Sequence, residues 1–451
     1  MALRALLRVE AGEPAGPALH GELGDLADPR ERALATELVY GVTRVRGALD
    51  GALAPACRRP LRSLHPAVRA ALRLGCYQLR ATDRIPAHAA VDSSVELVRR
   101  HGCPEAAGLV NAVLRRLAAS PPAEPGGGTA GLAERYGHPA WLVARWLSRM
   151  GPEETERLLQ ANNARPAVSL RANVLRTTGD ALREELAGAG LDARPARYVP
   201  EAVRIRRAGD PGALPAVAGG RCTVQGEASM LVGVVADPRP GDLCLDVAAA
   251  PGGKATHLAE RMGDRGRVVA NDRSAERAAL CAQAAARLGL RSVETRSGDA
   301  RALPAEFGGR CDVVLADLPC TGFGTLAARP DLRWRRRPED IAALAALQAE
   351  LLAAAGRCVK PGGLLVYSTC TTEPEENEAV VAVFLAGHDD FEPVDLRGRV
   401  PAALRDEPGL PAGMLRLWPH VHDTEGFFIA VLGRREGRAR GGAERPADSR
   451  S

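Results

Sequence analysis

Apolar residues recur every three to four positions through the first quarter of the chain. The spacing predicts helices over Ala2–Glu10, Arg30–Tyr40, His65–Leu79, Ala87–Arg100 and Val110–Leu117, and no stretch there alternates with the period of a strand. Residues 1–125 therefore read as an all-α bundle. Residues 120–131 (Ser-Pro-Pro-Ala-Glu-Pro-Gly-Gly-Gly-Thr-Ala-Gly) are a linker by composition. A small α+β module is expected over 132–225. It has helices from His138, from Glu153 to about Ala161 and over Asp180–Ala189, with strands over Ala167–Asn173, Val203–Arg206 and Arg221–Gln225.

From Gly241 the pattern changes to short apolar runs alternating with helical segments. Leu243–Ala248, Val268–Asp272, Ser292–Thr295, Val313–Asp317 and Leu364–Ser368 read as strands, and Phe427–Leu432 closes the sheet. Helices follow from Ala255, over Ala275–Leu288 and over Pro338–Cys358. Such alternation predicts a mostly parallel, doubly wound, Rossmann-like α/β domain over 226–433. Residues 434–451, rich in Arg, Gly and Pro, have nothing large and apolar to bury and are expected to be a disordered tail.

With 451 residues there is room for several cores, and a net charge of +5 permits an anionic partner without demanding one. The 10 cysteines form no C-x-x-C pair, which argues against a zinc ribbon and a disulfide framework. With no signal-peptide pattern, the reducing cytoplasm is the expected compartment. No apolar run reaches membrane-spanning length, so no membrane partner is expected. No metal is expected either: His420-x-His422 has no third ligand nearby.

Candidate chemistry gathers at the predicted strand tips. Asp246-Val247-Ala248-Ala249-Ala250-Pro251-Gly252-Gly253-Lys254 leaves the first strand and opens a helix; its small residues allow close approach to backbone, and the helix start offers free N–H groups. It is neither a G-x-G-x-x-G fingerprint nor a P-loop. Asp272 ends the second strand, where an acid meets ribose hydroxyls in doubly wound folds, and Asp299 follows the third. This set fits S-adenosylmethionine. The bland alternative for any single acid is a helix N-cap.

Asp317-Leu318-Pro319-Cys320 ends the fourth strand, and Ser368-Thr369-Cys370 the fifth, so both thiols are expected to face one crevice. Read alone, the first motif nominates Cys320 as a nucleophile. Carbon 5 of cytosine is a poor nucleophile, and a thiolate adding to carbon 6 makes it enamine-like; Asp317 is placed to hold or protonate the N3 side of the ring. Amino-methyltransferases carry Asn/Asp-Pro-Pro-aromatic at this strand end and need no cysteine. Five arginines over Arg329–Arg337 around Trp334 suit single-stranded RNA, or else form a solvated helix start.

Together these motifs resemble the Sun (Fmu) family of RNA cytosine-5 methyltransferases. The N-terminal part, with Glu37-Leu38-Val39-Tyr40-Gly41 and Val110-Asn111-Ala112-Val113-Leu114-Arg115, is similar to the NusB-like RNA-binding domain fused to members of that family. The resemblance implies that Cys370 attacks, that Cys320 assists product release, and that Ala248 to Lys254 with Asp272, Asp299 and Asp317 line the cofactor. It implies small-subunit (16S) rRNA as substrate, with a monomer expected. Departures are Ala248 for a common cysteine, Leu318 for alanine, a Thr321-Gly322-Phe323-Gly324 loop for Ser-Gly-x-Gly, and Gln225-Gly226-Glu227 for a Gln-Asp pair. The alternatives are a non-catalytic NusB-like RNA-binding factor, or cytosine-5 methylation of another nucleic acid such as tRNA or DNA.

Overall fold

The computed structural model describes residues 1–24, 26–81, 85–120, 126–206 and 209–436. The N-terminal bundle is built around the helix Pro66–Ala81, buried on nearly every side from Ala67 to Gln78. Helices Ala2–Glu10, Pro29–Arg44, Ala87–Arg100 and Ala107–Ala119 surround it, as the periodicity predicts. Two further helices, Ala15–Leu23 and Arg46–Leu53, lack a sequence signal. Each is short and carries two glycines, so packing against the bundle, not propensity, holds it.

The expected linker ends early. The helix Gly128–Tyr136 starts inside it, while residues 121–125 lie outside the described residues. The two helices expected after His138 form one run, Ala140–Asn163, kinked where Gly151 takes φ 79° ahead of Pro152. Next comes a four-stranded antiparallel sheet of β1 (Val168–Ala172), β2 (Asp192–Pro195), β3 (Ala202–Arg206) and β4 (Cys222–Val224), in the order β2-β3-β1-β4. The periodicity misses β2 because it is an exposed edge strand with no apolar face.

The large sheet contains β5 (Leu243–Asp246), β6 (Arg267–Asp272), β7 (Val293–Ser297), β8 (Cys311–Asp317), β9 (Val359–Thr369), β10 (Phe391–Pro393) and β12 (Phe427–Arg434), with β11 (Met414–Leu417) paired to β12. Its order is β10-β12-β9-β8-β5-β6-β7; the strands from β5 to β9 are parallel and β12 runs antiparallel to β9. The chain leaves β5 toward β6 and β7, then returns to lay β8 on the other side. The crevice beyond the carboxyl ends of β5 and β8 is thus the switch point, where open α/β sheets bind ligands. Helix Pro338–Cys358, the one described helix long and apolar enough to cross a membrane by length and composition, packs Leu351, Leu352 and Ala355 into the core beside β8. At the far end β12 extends through Arg434, and Arg435 pairs with Glu392 at 3.1 Å, so the expected tail does not begin at 434. Residues 437–451 lie outside the described residues.

Candidate active site

In the parallel ladder Asp317 at the tip of β8 lies beside Ser368 of β9. Ser368 Oγ donates to Asp317 Oδ1 at 2.8 Å, and Lys254 Nζ, from the start of the helix Gly253–Arg261, pairs with Oδ2 at 2.7 Å. Both carboxylate oxygens are therefore fixed, and Lys254 faces the thiols across this acid. Three residues beyond Asp317 and one beyond β9, Cys320 Sγ and Cys370 Sγ approach to 3.4 Å. The expectation of one shared crevice is met.

A buried carboxylate ties the two thiol loops together. Glu376 accepts from Thr321 N at 2.8 Å, Thr321 Oγ1 at 2.5 Å and Thr371 Oγ1 at 3.0 Å. Gln348 adds donors to Pro319 O and to Glu376. Thr321 thus serves as a serine would, and its methyl group is accommodated in a fully buried position. Gly324 and Gly426 cross backbone on backbone: Gly324 N donates to Cys370 O and Gly426 N to Gly324 O, and a Cβ on Gly324 would run into the carbonyl of Gly426.

The thiols are electrostatically unequal. The hydrogen bond shared with Cys320 pulls the Cys370 thiol below its usual range against the cost of burial and of the Asp317 charge, and the cations of Arg329 and Lys254 add to that pull. The same bond pushes Cys320 up, together with its burial and the charges of Glu376 and Asp317. Of the two thiols, Cys370 is the more acidic.

The loop from Ala248 to Lys254, expected to hold the cofactor, is built from inward-turned amides. Ala248 N donates to Asp246, Ala249 N to Asn271 O at 2.7 Å, Ala250 N to Asp272, and Gly252 N back to Ala249 O at 2.7 Å. The Ala250–Pro251 bond is cis. Asp272 also meets Arg277 Nε at 3.1 Å. Asp299 is partly exposed and caps the turn Ala300–Ala302; its pairing with Arg301 holds it at about 2. Asp246 is the opposite case, with burial and the nearby Asp317 raising it to about 7. Asp246 Oδ2 and Asn271 Oδ1 are buried acceptors without partners, at the ends of neighbouring strands. Two unmet acceptors beside a small-residue loop fit a ligand bringing ammonium and hydroxyl donors, as S-adenosylmethionine does.

Comparison with known proteins agrees with this geometry. The NusB family model matches residues 1–119, a Methyltr_RsmF/B-like ferredoxin-like domain 138–210, and 16S rRNA methyltransferase RsmB/F 233–433. A probable ribosomal RNA small subunit methyltransferase B of Synechocystis is 39% identical, the match covering 90% of this chain and 91% of that one. The crystal structure of PH0851 is 31% identical, covers 95% of this chain and 97% of its own, and superposes with a TM-score of 0.84. NSun6 from Pyrococcus horikoshii, solved with SFG, is 25% identical over 66% of this chain and 98% of its own, with a TM-score of 0.59. The chain belongs to the RsmB/F family of 16S rRNA methyltransferases.

Three elements brace the site of this RsmB/F member through partners far apart in the chain, and the first two have no sequence signal. Glu373, fully buried three residues after Cys370, accepts from Trp146 Nε1 at 3.0 Å, from Arg149 at 3.1 Å and from Arg145. Trp146 also meets Phe323 of the Cys320 loop edge-on at 6.5 Å. The kinked helix thus braces both thiol loops. Arg171 of β1, fully buried, pairs with Glu260 at 2.9 Å and donates to Gly253 O at 2.7 Å and to Gln225 Oε1. It fastens the middle sheet to the helix that follows the cofactor loop. Gln225 keeps its bracing part, while Glu227 turns away to accept from the backbone N–H groups of Tyr198 and Val199.

The third brace corrects the reading of Arg329–Arg337 as an open RNA-stacking surface. Trp334 Nε1 donates to Thr43 O at 2.7 Å, and Arg46 covers its ring at 5.2 Å. Arg333, fully buried with no carboxylate partner, donates to Arg44 O, Gly137 O, Asn162 O and Asn163 Oδ1, and burial lowers it to about 9. The segment is a strap across all three units. Its Arg336 donates to Cys320 O at 2.9 Å and Thr321 O at 3.2 Å. His420 and His422 do not converge: they pair with Glu154 and Glu407 respectively.

Proposed function

We propose that this chain methylates carbon 5 of a cytosine in 16S rRNA through a covalent adduct on Cys370. The observation that carries it is the 3.4 Å Cys320–Cys370 pair beside the Lys254–Asp317 ion pair. S-adenosylmethionine supplies the methyl group, and Ala248 to Lys254 with Asp246, Asp272, Asp299 and Asp317 form its side of the crevice.

The Cys370 thiolate forms a bond to carbon 6, and the carbon 5–carbon 6 π pair becomes available at carbon 5. Asp317, held by Ser368 and Lys254, orients the N3 side of the ring. After carbon 5 is methylated, its proton leaves with help from Cys320. The electron pair of that C–H bond restores the double bond, and the sulfur–carbon 6 bond breaks to regenerate the Cys370 thiolate. The target base has to leave its stack to reach so enclosed a thiol pair, which favours a loop or an open rRNA segment.

The free thiols and the rRNA substrate support a cytoplasmic location. The test is methyl transfer to unmodified 16S rRNA with bisulfite mapping. A single new 5-methylcytosine is expected, and its absence from free rRNA and assembled subunits alike would overturn the proposal.

A further inference from the structure

A groove of about 340 Å3 opens where the N-terminal bundle meets the strap, lined by Glu10, Arg46, Asp331, Trp334, Arg335 and Arg336 among others. It belongs to neither unit alone: Glu10 and Arg46 come from the bundle, the other four from the strap. Its volume lies at the lower end of ligand sites, roughly 300–1,000 Å3, enough for part of one nucleotide and not for a helix.

Both carboxylates in the groove are already neutralised. Glu10 pairs with Arg69 at 2.6 Å and with Arg73, and Asp331 pairs with Arg335 at 3.1 Å. Arg46 differs. Its guanidinium lies over the Trp334 ring at 5.2 Å, and among the described residues no ion pair or hydrogen bond engages it. A half-buried guanidinium whose donors no described residue takes, set on an indole face, suits an anionic ligand. Arg336 connects the groove to the chemistry by donating to the carbonyls of Cys320 and Thr321.

Resting on the activity proposed above, we infer that this groove seats one phosphodiester of the substrate RNA, close to the nucleotide delivered to Cys370. Base stacking is not on offer, because Arg46 covers the Trp334 face and Thr43 takes its N–H. The contact is therefore to the RNA backbone and independent of sequence. It sets the distance between the RNA held on the bundle and the base entering the crevice.

The test is the salt dependence of binding of a 16S rRNA transcript to the full chain, between about 50 and 200 mM salt. Loss of one phosphate contact lowers the slope of log affinity against log salt by about 0.7–0.9. Arg46→Ala and Arg46→Gln are both expected to show that drop with several-fold weaker binding, the Gln variant keeping the stem over Trp334. Arg46→Lys retains the charge and is expected to retain the slope. Arg99→Ala, on an exposed helix end paired only with Glu96, serves as the control with an unchanged slope. An unaltered slope in both neutral variants overturns the inference, as it would if a protein partner occupied the groove. If the wild-type chain methylates neither the same transcript nor assembled subunits, the proposed activity falls instead, so the two failures are distinguishable.

Discussion

Trp146 Nε1 donates to Glu373 Oε1 at 3.0 Å across 227 residues of chain, and that one bond links the kinked helix to the loop carrying Cys370. Glu373 is fully buried, and the partly exposed guanidinia of Arg145 and Arg149 share it. Trp146→Phe keeps the packing on Phe323 but removes a donor, and is expected to cost about 1–3 kcal/mol. Glu373→Gln replaces the shared carboxylate with a neutral amide and is expected to cost about 1–3 kcal/mol, since both cations keep solvent and Arg145 keeps Glu375. Urea unfolding measures both. Single-turnover methyl transfer is expected to slow roughly 10-fold or more, because the nucleophile loses its alignment.

The unequal thiols give opposite phenotypes. Cys370→Ala is expected to abolish covalent RNA adducts on denaturing gels, whereas Cys320→Ala is expected to accumulate them. The reverse pattern would exchange the two roles. Cys320→Ala also removes the hydrogen bond that lowers Cys370, so the acid limb of the pH–rate profile for adduct formation is expected to move to higher pH.

Asp246 makes stability and cofactor affinity respond to pH in opposite directions. Its carboxyl sits at about 7 in the folded chain, above its ordinary 3.8. Between those values the folded state holds a proton that the unfolded state has lost, so stability falls as pH rises through this window and levels off above it. Asp246→Asn is expected to flatten that slope in thermal melts. A ligand ammonium favours the ionised carboxylate, so S-adenosylmethionine is expected to bind more tightly at pH 8 than at pH 6. Calorimetry in buffers of different ionisation enthalpy is expected to show release of up to about one proton at pH 6, and Asp246→Asn to weaken binding at both.

Arg171 and Glu260 test whether the middle sheet supports the cofactor site. Arg171→Met strands Glu260 in the interior and is expected to cost about 3–5 kcal/mol, with Arg171→Met/Glu260→Leu recovering much of it. The double variant still lacks the bond to Gly253 O, so its cofactor affinity is expected to stay low after stability returns. Isothermal titration alongside urea melts separates the two effects.

The catalytic sheet and both thiol motifs were legible because buried parallel strands read as apolar runs ending in chemistry, as at Val313–Asp317 and Leu364–Ser368. Asp299 shows the limit of that reasoning, since a strand-end acid and a helix cap have the same local sequence; here it caps the turn Ala300–Ala302 from the tip of β7. Trp334 with its arginines looked like a nucleic-acid surface because composition does not distinguish an exposed indole from one docked on Thr43. Glu373, Glu376 and Arg171 gave no signal. Each is a lone charge whose meaning lies in partners elsewhere in the chain, and only the assembled packing supplies them.

Arg333 carries a consequence for how the enzyme is made. Its partners Arg44 O and Gly137 O lie 289 and 196 residues earlier in the chain. A cation without a counter-charge is tolerated at that depth only when its carbonyl and amide acceptors are all present. During synthesis from the N-terminus, those acceptors exist before the strap leaves the ribosome. The bundle and kinked helix act as a preformed receptacle, and Arg336 grips the Cys320 loop only once the strap has been received. The nascent chain thus exposes both cysteines before their shared pocket is complete, and the last-made third of the protein closes the site.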